Sequence, residues 1–82
     1  MIDTDVMENF DRIKFDPNIM GGKPTIRGIR VTVGAIVGLV ASGYSKEKIV
    51  EMYPYLEKED ITQALQYAAW RADELEQPLD TA

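Results

Sequence analysis

The 82-residue chain contains no cysteine and no histidine. The first absence excludes a disulfide framework and a thiolate site, and the second removes the commonest metal ligand and general base. Long apolar runs are also missing. The longest, about Ile29 to Ala41, is interrupted by Arg30, Thr32 and two glycines, and falls short of the roughly 20 residues that span a bilayer. The opening Met1-Ile2-Asp3-Thr4-Asp5 lacks the basic and apolar regions of a signal peptide. These absences predict a cytoplasmic, non-enzymatic protein without metal or cofactor.

What is present is one small domain, marginal in core size, for which a homodimer is the expected state. The net charge of −5 argues against indiscriminate nucleic-acid binding, but it conceals three blocks of different sign. Residues 1–11 carry Asp3, Asp5, Glu8 and Asp11 and are read as a flexible acidic N-terminus. Residues 12–30 carry Arg12, Lys14, Lys23, Arg27 and Arg30 against Asp16 alone, and residues 31–82 are acidic again. A basic island therefore sits on an acidic protein. Its charges either contact a partner or protect a strand edge from aggregation.

Punctuation and periodicity divide the chain further. Ile13-Lys14-Phe15 alternates and stops at the turn residues Asp16-Pro17-Asn18, predicting a first strand. Glycines at 21, 22 and 28 suggest turns with positive φ, and a second strand is expected from about Pro24 to Val31. Alternation along it would place Arg27 and Ile29 on one face and Ile26, Gly28 and Arg30 on the other, so that one of the two arginines reaches a partner. Thr32 is placed to cap a helix over Val33 to Ser42 that is apolar on nearly every side and ends at Gly43. Ser45 caps a short helix from Lys46 to about Tyr53, stopped by Pro54. A third helix is predicted from Lys58 to Leu75, with Ile61, Ala64, Leu65, Ala68, Ala72 and Leu75 at helical spacing. The expected fold is mainly α: a two-stranded β-hairpin arm followed by a trihelical, helix-turn-helix-like core. That single domain would occupy residues 12–76, with a frayed C-terminus at 77–82.

Gly21-Gly22-Lys23 is not a phosphate loop, since the required upstream glycine and following Ser or Thr are absent. Glu57, Glu59 and Asp60 crowd the start of the third helix, where carboxylates complement the helix dipole. The same helix carries Tyr67 and Trp70 off its aliphatic stripe; they either pack on the arm or form a protein interface. If the second and third helices form a DNA-reading unit, the reading helix opens with net negative charge and repels phosphates. DNA affinity would then rest on Lys23, Arg27 and Arg30 of the arm, with Lys46 and Lys48 as auxiliary contacts.

The strings Asp16 to Val31, Gly43 to Ile49, Tyr53-Pro54-Tyr55-Leu56 and Asp60-Ile61 through Ala64-Leu65 to Tyr67-Ala68 resemble the prokaryotic domain-of-unknown-function 433 family over about residues 12 to 70. The chain departs from it at Ile29, Thr32 and Glu57, where members usually carry Thr, Pro and a capping Thr or Ser. The resemblance implies a homeodomain-like winged-helix fold and, for many members, an antitoxin role beside a PIN-like ribonuclease toxin. An arginine on a stiff arm could pair with the acidic cleft of such a nuclease. The alternatives are a stand-alone dimeric DNA-binding transcriptional regulator and an interaction module that uses no nucleic acid.

Overall fold

A computed structural model describes residues 10–75. Residues 1–9 and 76–82, which hold most of the expected flexible ends, lie outside the described residues. Strands β1 (Ile13–Lys14) and β2 (Thr25–Ile26) pair antiparallel, with Ile13 opposite Ile26. Both isoleucines are buried, so this cross-strand pair faces the helical body. The connecting loop turns first at Asp16, whose carboxylate accepts from the Asn18 amide at 2.8 Å. It turns again through Met20, Gly21 and Gly22, all three with positive φ.

The second strand is shorter than expected. After Ile26 the chain turns over Arg27 (φ 49°) and Gly28 (φ 76°), closed by a 2.8 Å bond from the Ile29 amide to the Ile26 carbonyl. Two consecutive central residues with positive φ mark a type I′ turn, the kind that matches strand twist. The chain returns beside β2, the Ile26 amide bonding the Val31 carbonyl at 2.9 Å and Thr25 bridging Thr32. Simple alternation from Pro24 to Val31 therefore fails, because a turn lies inside the segment.

Helix α1 (Val33–Ala41) begins at Thr32, whose hydroxyl accepts from the Ala35 amide at 3.0 Å. It ends in a Schellman motif: the Gly43 amide bonds Val40 O at 3.0 Å and the Tyr44 amide bonds Leu39 O at 3.1 Å, with Gly43 at φ 98°. Helix α2 (Lys46–Met52) is capped by Ser45, and helix α3 (Lys58–Leu75) packs on both α1 and α2. The core joins Phe10, Ile13 and Ile26 of the arm to Val33 and Ile36 of α1, Ile49 of α2, Leu56, and Ile61, Ala64 and Tyr67 of α3.

Three sequence expectations change here. Helix α1 is not enclosed on all sides: it buries Val33 and Ile36, while Gly34, Ala35, Gly38 and Ala41 are exposed, because α3 covers only one of its faces. Ala72 is likewise exposed. Phe10, assigned to the acidic N-terminus, belongs to the core. Its ring meets Tyr67 edge-on at 5.4 Å and Trp70 at 5.9 Å, burying apolar area that the short β1 cannot supply alone.

Candidate functional site

The arm is fastened to the helices by a charged cluster centred on Asp60, which is fully buried. Arg27 Nε donates to Asp60 Oδ1 at 3.1 Å and Arg27 Nη2 donates to Oδ2 at 2.9 Å. Arg12 Nη1 donates to Oδ1 at 2.8 Å, and the Glu57 amide donates to Oδ2 at 2.8 Å. Four donors thus occupy the roughly four acceptor positions of one carboxylate. The bond to the Glu57 amide is the return half of a capping box, since Asp60 is the third residue of α3. Glu57 does not use its side chain to complete the box; Oε1 accepts instead from Arg12 Nη1 at 2.6 Å.

The electrostatics follow from this geometry. Burial works against the Asp60 carboxylate, but the Arg27 bonds, the Glu57 amide and Arg12 outweigh it and hold the group below the usual aspartate range. Arg12 is pushed above its ordinary value, first by Glu57 and then by Asp60. Gln63 adds a second fastening: its Oε1 accepts from the Arg12 amide at 2.6 Å and its Nε2 donates to Asp11 at 2.9 Å.

The candidate residues therefore separate. Arg27 is spent internally, on Asp60 and on the Tyr55 carbonyl, which accepts from Nη2 at 2.6 Å. Its guanidinium is thus ion-paired although the side chain stays 38% exposed, because the type I′ turn directs it onto the start of α3. Tyr67 is buried at the centre of an aromatic group with Phe10, Phe15 and Trp70, so it is core and not interface; Trp70 is half-buried against it. Burial also pushes the Tyr67 phenol up, partly offset by Arg71. Lys46 donates to Thr62 Oγ1 at 2.7 Å, and Lys48 pairs with Glu51 at 3.1 Å. Lys23 and Arg30 are exposed, and their side chains make no hydrogen bond or ion pair among the described residues.

Arg30 stands at an open cleft of about 200 Å³ between the Met20 turn, Ala35 and Leu39 of α1, and the Tyr53-Tyr55 loop. Met20 (φ 51°) holds a left-handed conformation that a residue with a side chain seldom adopts, and its side chain is exposed at the cleft. Because Arg27 grips the Tyr55 carbonyl, the internal ion cluster also positions one wall of this cleft. Arg12, Asp60 and the cleft itself were not singled out as a site in the sequence. The available signal was Asp60 at the third position of a helix, the slot from which a carboxylate turns back to the cap.

A short β-arm clamped by an internal ion cluster to three helices, with an exposed arginine beside an apolar cleft, defines a small, mainly helical module. Residues 13–68 match the protein of unknown function family DUF433, and the chain belongs to that family. It is similar to the uncharacterized protein y4eO of Sinorhizobium fredii, 44% identical over 52 residues, which are 63% of this chain and 24% of that protein. The chain thus spans about a quarter of that relative's length. It also resembles the crystal structure of a DUF433 member from Anabaena variabilis, with a TM-score of 0.71 and 26% identity, covering 85% of this chain and 67% of that one. Among the described residues, no helix is long and apolar enough to cross a membrane.

Proposed function

We propose that this chain is a non-enzymatic, antitoxin-like adaptor of the cytoplasm that binds an acidic protein partner through Arg30 and Lys23 of its arm. The partner class is a PIN-like ribonuclease, whose acidic metal cleft an exposed guanidinium could enter and block. The observation that carries this reading is the division of labour between the two arginines: both reach solvent, but Arg27 is paired with Asp60, whereas Arg30 has no side-chain partner among the described residues and stands beside an apolar surface. A non-catalytic role agrees with the same cluster, because a carboxylate already accepting four hydrogen bonds has no position left for proton transfer. A homodimer would add stability that a domain of this size needs.

Co-expression with a PIN-like ribonuclease tests the proposal. Arg30→Glu is expected to abolish protection while leaving the fold intact, and unchanged protection would overturn it. Duplex DNA from the upstream region serves as the second arm, titrated at roughly physiological salt. Specific DNA binding that is lost on reversal of Arg30 and Lys23, with no effect on ribonuclease inhibition, would instead make the protein a DNA-binding regulator. The exposed positions of α3 hold two bases, Lys58 and Arg71, against the acids Glu59 and Asp73, and Lys58 is paired with Glu47 at 3.2 Å; a helix face without net positive charge favours the protein partner over a reading helix.

A further inference from the structure

From the cleft beside Arg30 we infer a peptide-recognition site that takes one bulky apolar side chain of a partner protein, with a carboxylate close to it in the partner's sequence. This rests on the partner-binding reading above and deepens it, by naming what the arm recognises.

Size decides the class of occupant. Drug-sized ligands and cofactors occupy pockets of roughly 300–1,000 Å³, whereas a cavity of about 150 Å³ accommodates a benzene ring. A cleft of about 200 Å³ is therefore too small for a cofactor and suited to one aromatic or large aliphatic side chain. Interfaces commonly place such an anchor in a pocket at their centre. The lining is apolar or uncharged except for Arg30, so the cleft offers dispersion contact within and a single cation at its wall.

Charge decides between occupants. A second copy docking the same face on itself would bring two Arg30 side chains together, and the described lining contains no acidic residue to neutralise either. A partner segment with Asp or Glu near its apolar anchor meets that arginine with opposite charge. The left-handed Met20 is consistent with contact there, since it holds an exposed, adaptable thioether at the cleft.

The test is selection of a phage-displayed library of random peptides, about twelve residues long, on the immobilised full-length chain, followed by anisotropy titration of labelled winners. The expected consensus pairs a large apolar residue with a nearby acid. Binding should fall about tenfold or more in Arg30→Glu and in Ala35→Trp, which fills the cleft from an exposed position. Replacing the peptide's acid with Lys should restore binding to Arg30→Glu. Far-ultraviolet circular dichroism and urea midpoints confirm that both variants fold. No enrichment, winners without an acid, or indifference to Arg30→Glu would overturn the inference. So would displacement of the winners by a peptide of residues 1–9, or a monomer–dimer shift in sedimentation caused by either variant, which would assign the cleft to the chain's own N-terminus or to a second copy. Ribonuclease inhibition that survives alongside failed selection would overturn this site alone and leave the adaptor reading standing.

Discussion

Arg27 donates to both carboxylate oxygens of Asp60, at 3.1 and 2.9 Å, from a left-handed backbone position that a non-glycine residue seldom adopts. The conformation has an unfavourable intrinsic energy, and the bidentate contact with a buried carboxylate offsets it. The turn that looks from its sequence like an extended basic edge is thus an internal fastening. Arg30, three residues further on, has a side chain with no hydrogen bond or ion pair among the described residues.

Removing the centre of the cluster should be costly to the fold. Asp60→Asn keeps the size of the side chain but leaves Arg12 and Arg27 without their shared counter-charge. Breaking a buried pair typically costs about 3–5 kcal/mol. Because both arginines reach solvent, the expected loss here is lower, about 2–3 kcal/mol, read from urea unfolding. Arg27→Ala should also destabilise, whereas Arg30→Glu should stay within about 0.5 kcal/mol of wild type. Equal midpoints for Arg27→Ala and Arg30→Glu would contradict the separation of roles.

The same carboxylate predicts an acid response. Its pKa in the folded protein lies below the ordinary value, so its contribution is fully present above the unfolded pKa of about 3.9 and is lost as pH falls towards the folded value. Stability should decline progressively below about pH 4. In Asp60→Asn that part of the decline should be absent, giving a flatter profile in urea midpoints measured between about pH 2 and pH 6. Parallel profiles for the two proteins would show that other carboxylates control the acid limb.

Local chemistry made the helices legible. Thr32 and Ser45 cap where hydroxyl residues precede apolar periodicity, and Gly43 stops α1 with positive φ. What failed needed long-range information. Gly28 was legible as a positive-φ position, but the type I′ turn that it forms with Arg27 inside the expected strand was not, because arginine is a poor turn signal and its direction depends on Asp60, 33 residues away. The exposure of α1 was hidden because composition reports that a helix is apolar but not how many neighbours cover it. Of the candidate site, Arg30 and Lys23 were visible as charges, but the cleft arises only when α1, the Met20 turn and the Tyr53-Tyr55 loop converge.

Two glycines should respond in opposite directions to the same substitution. Gly28 sits at φ 76°, and Gly28→Ala should cost about 1 kcal/mol through backbone strain alone, since an added Cβ meets nothing within 4 Å. Gly38 lies within α1 with no such φ, and a Cβ there also meets nothing within 4 Å. Gly38→Ala should therefore stabilise the isolated chain by about 0.5–1 kcal/mol, the helix-propensity difference. Thermal or urea unfolding of the two variants checks both signs. If Gly38→Ala destabilises the chain, something approaches that face closely in solution.

Phe10 gives the most direct measure of how firmly the arm's first residues are held. It touches both Tyr67 and Trp70, and Trp70 is the chain's only tryptophan. Phe10→Ala should destabilise the fold by about 2–3 kcal/mol, below the usual range for a deeply buried phenylalanine because the ring lies at the margin of the core. It should also shift tryptophan emission to the red in the native state, since one wall around the indole is lost. Phe15→Ala removes a ring that is 46% exposed and whose only aromatic neighbour among the described residues is Tyr67, at 6.1 Å; its cost should be under about 1 kcal/mol with no emission shift. An unchanged spectrum in Phe10→Ala would mean that the aromatic cluster does not hold in solution, and that the arm is held by the buried Ile13-Ile26 pair with the Asp60 and Gln63 fastenings.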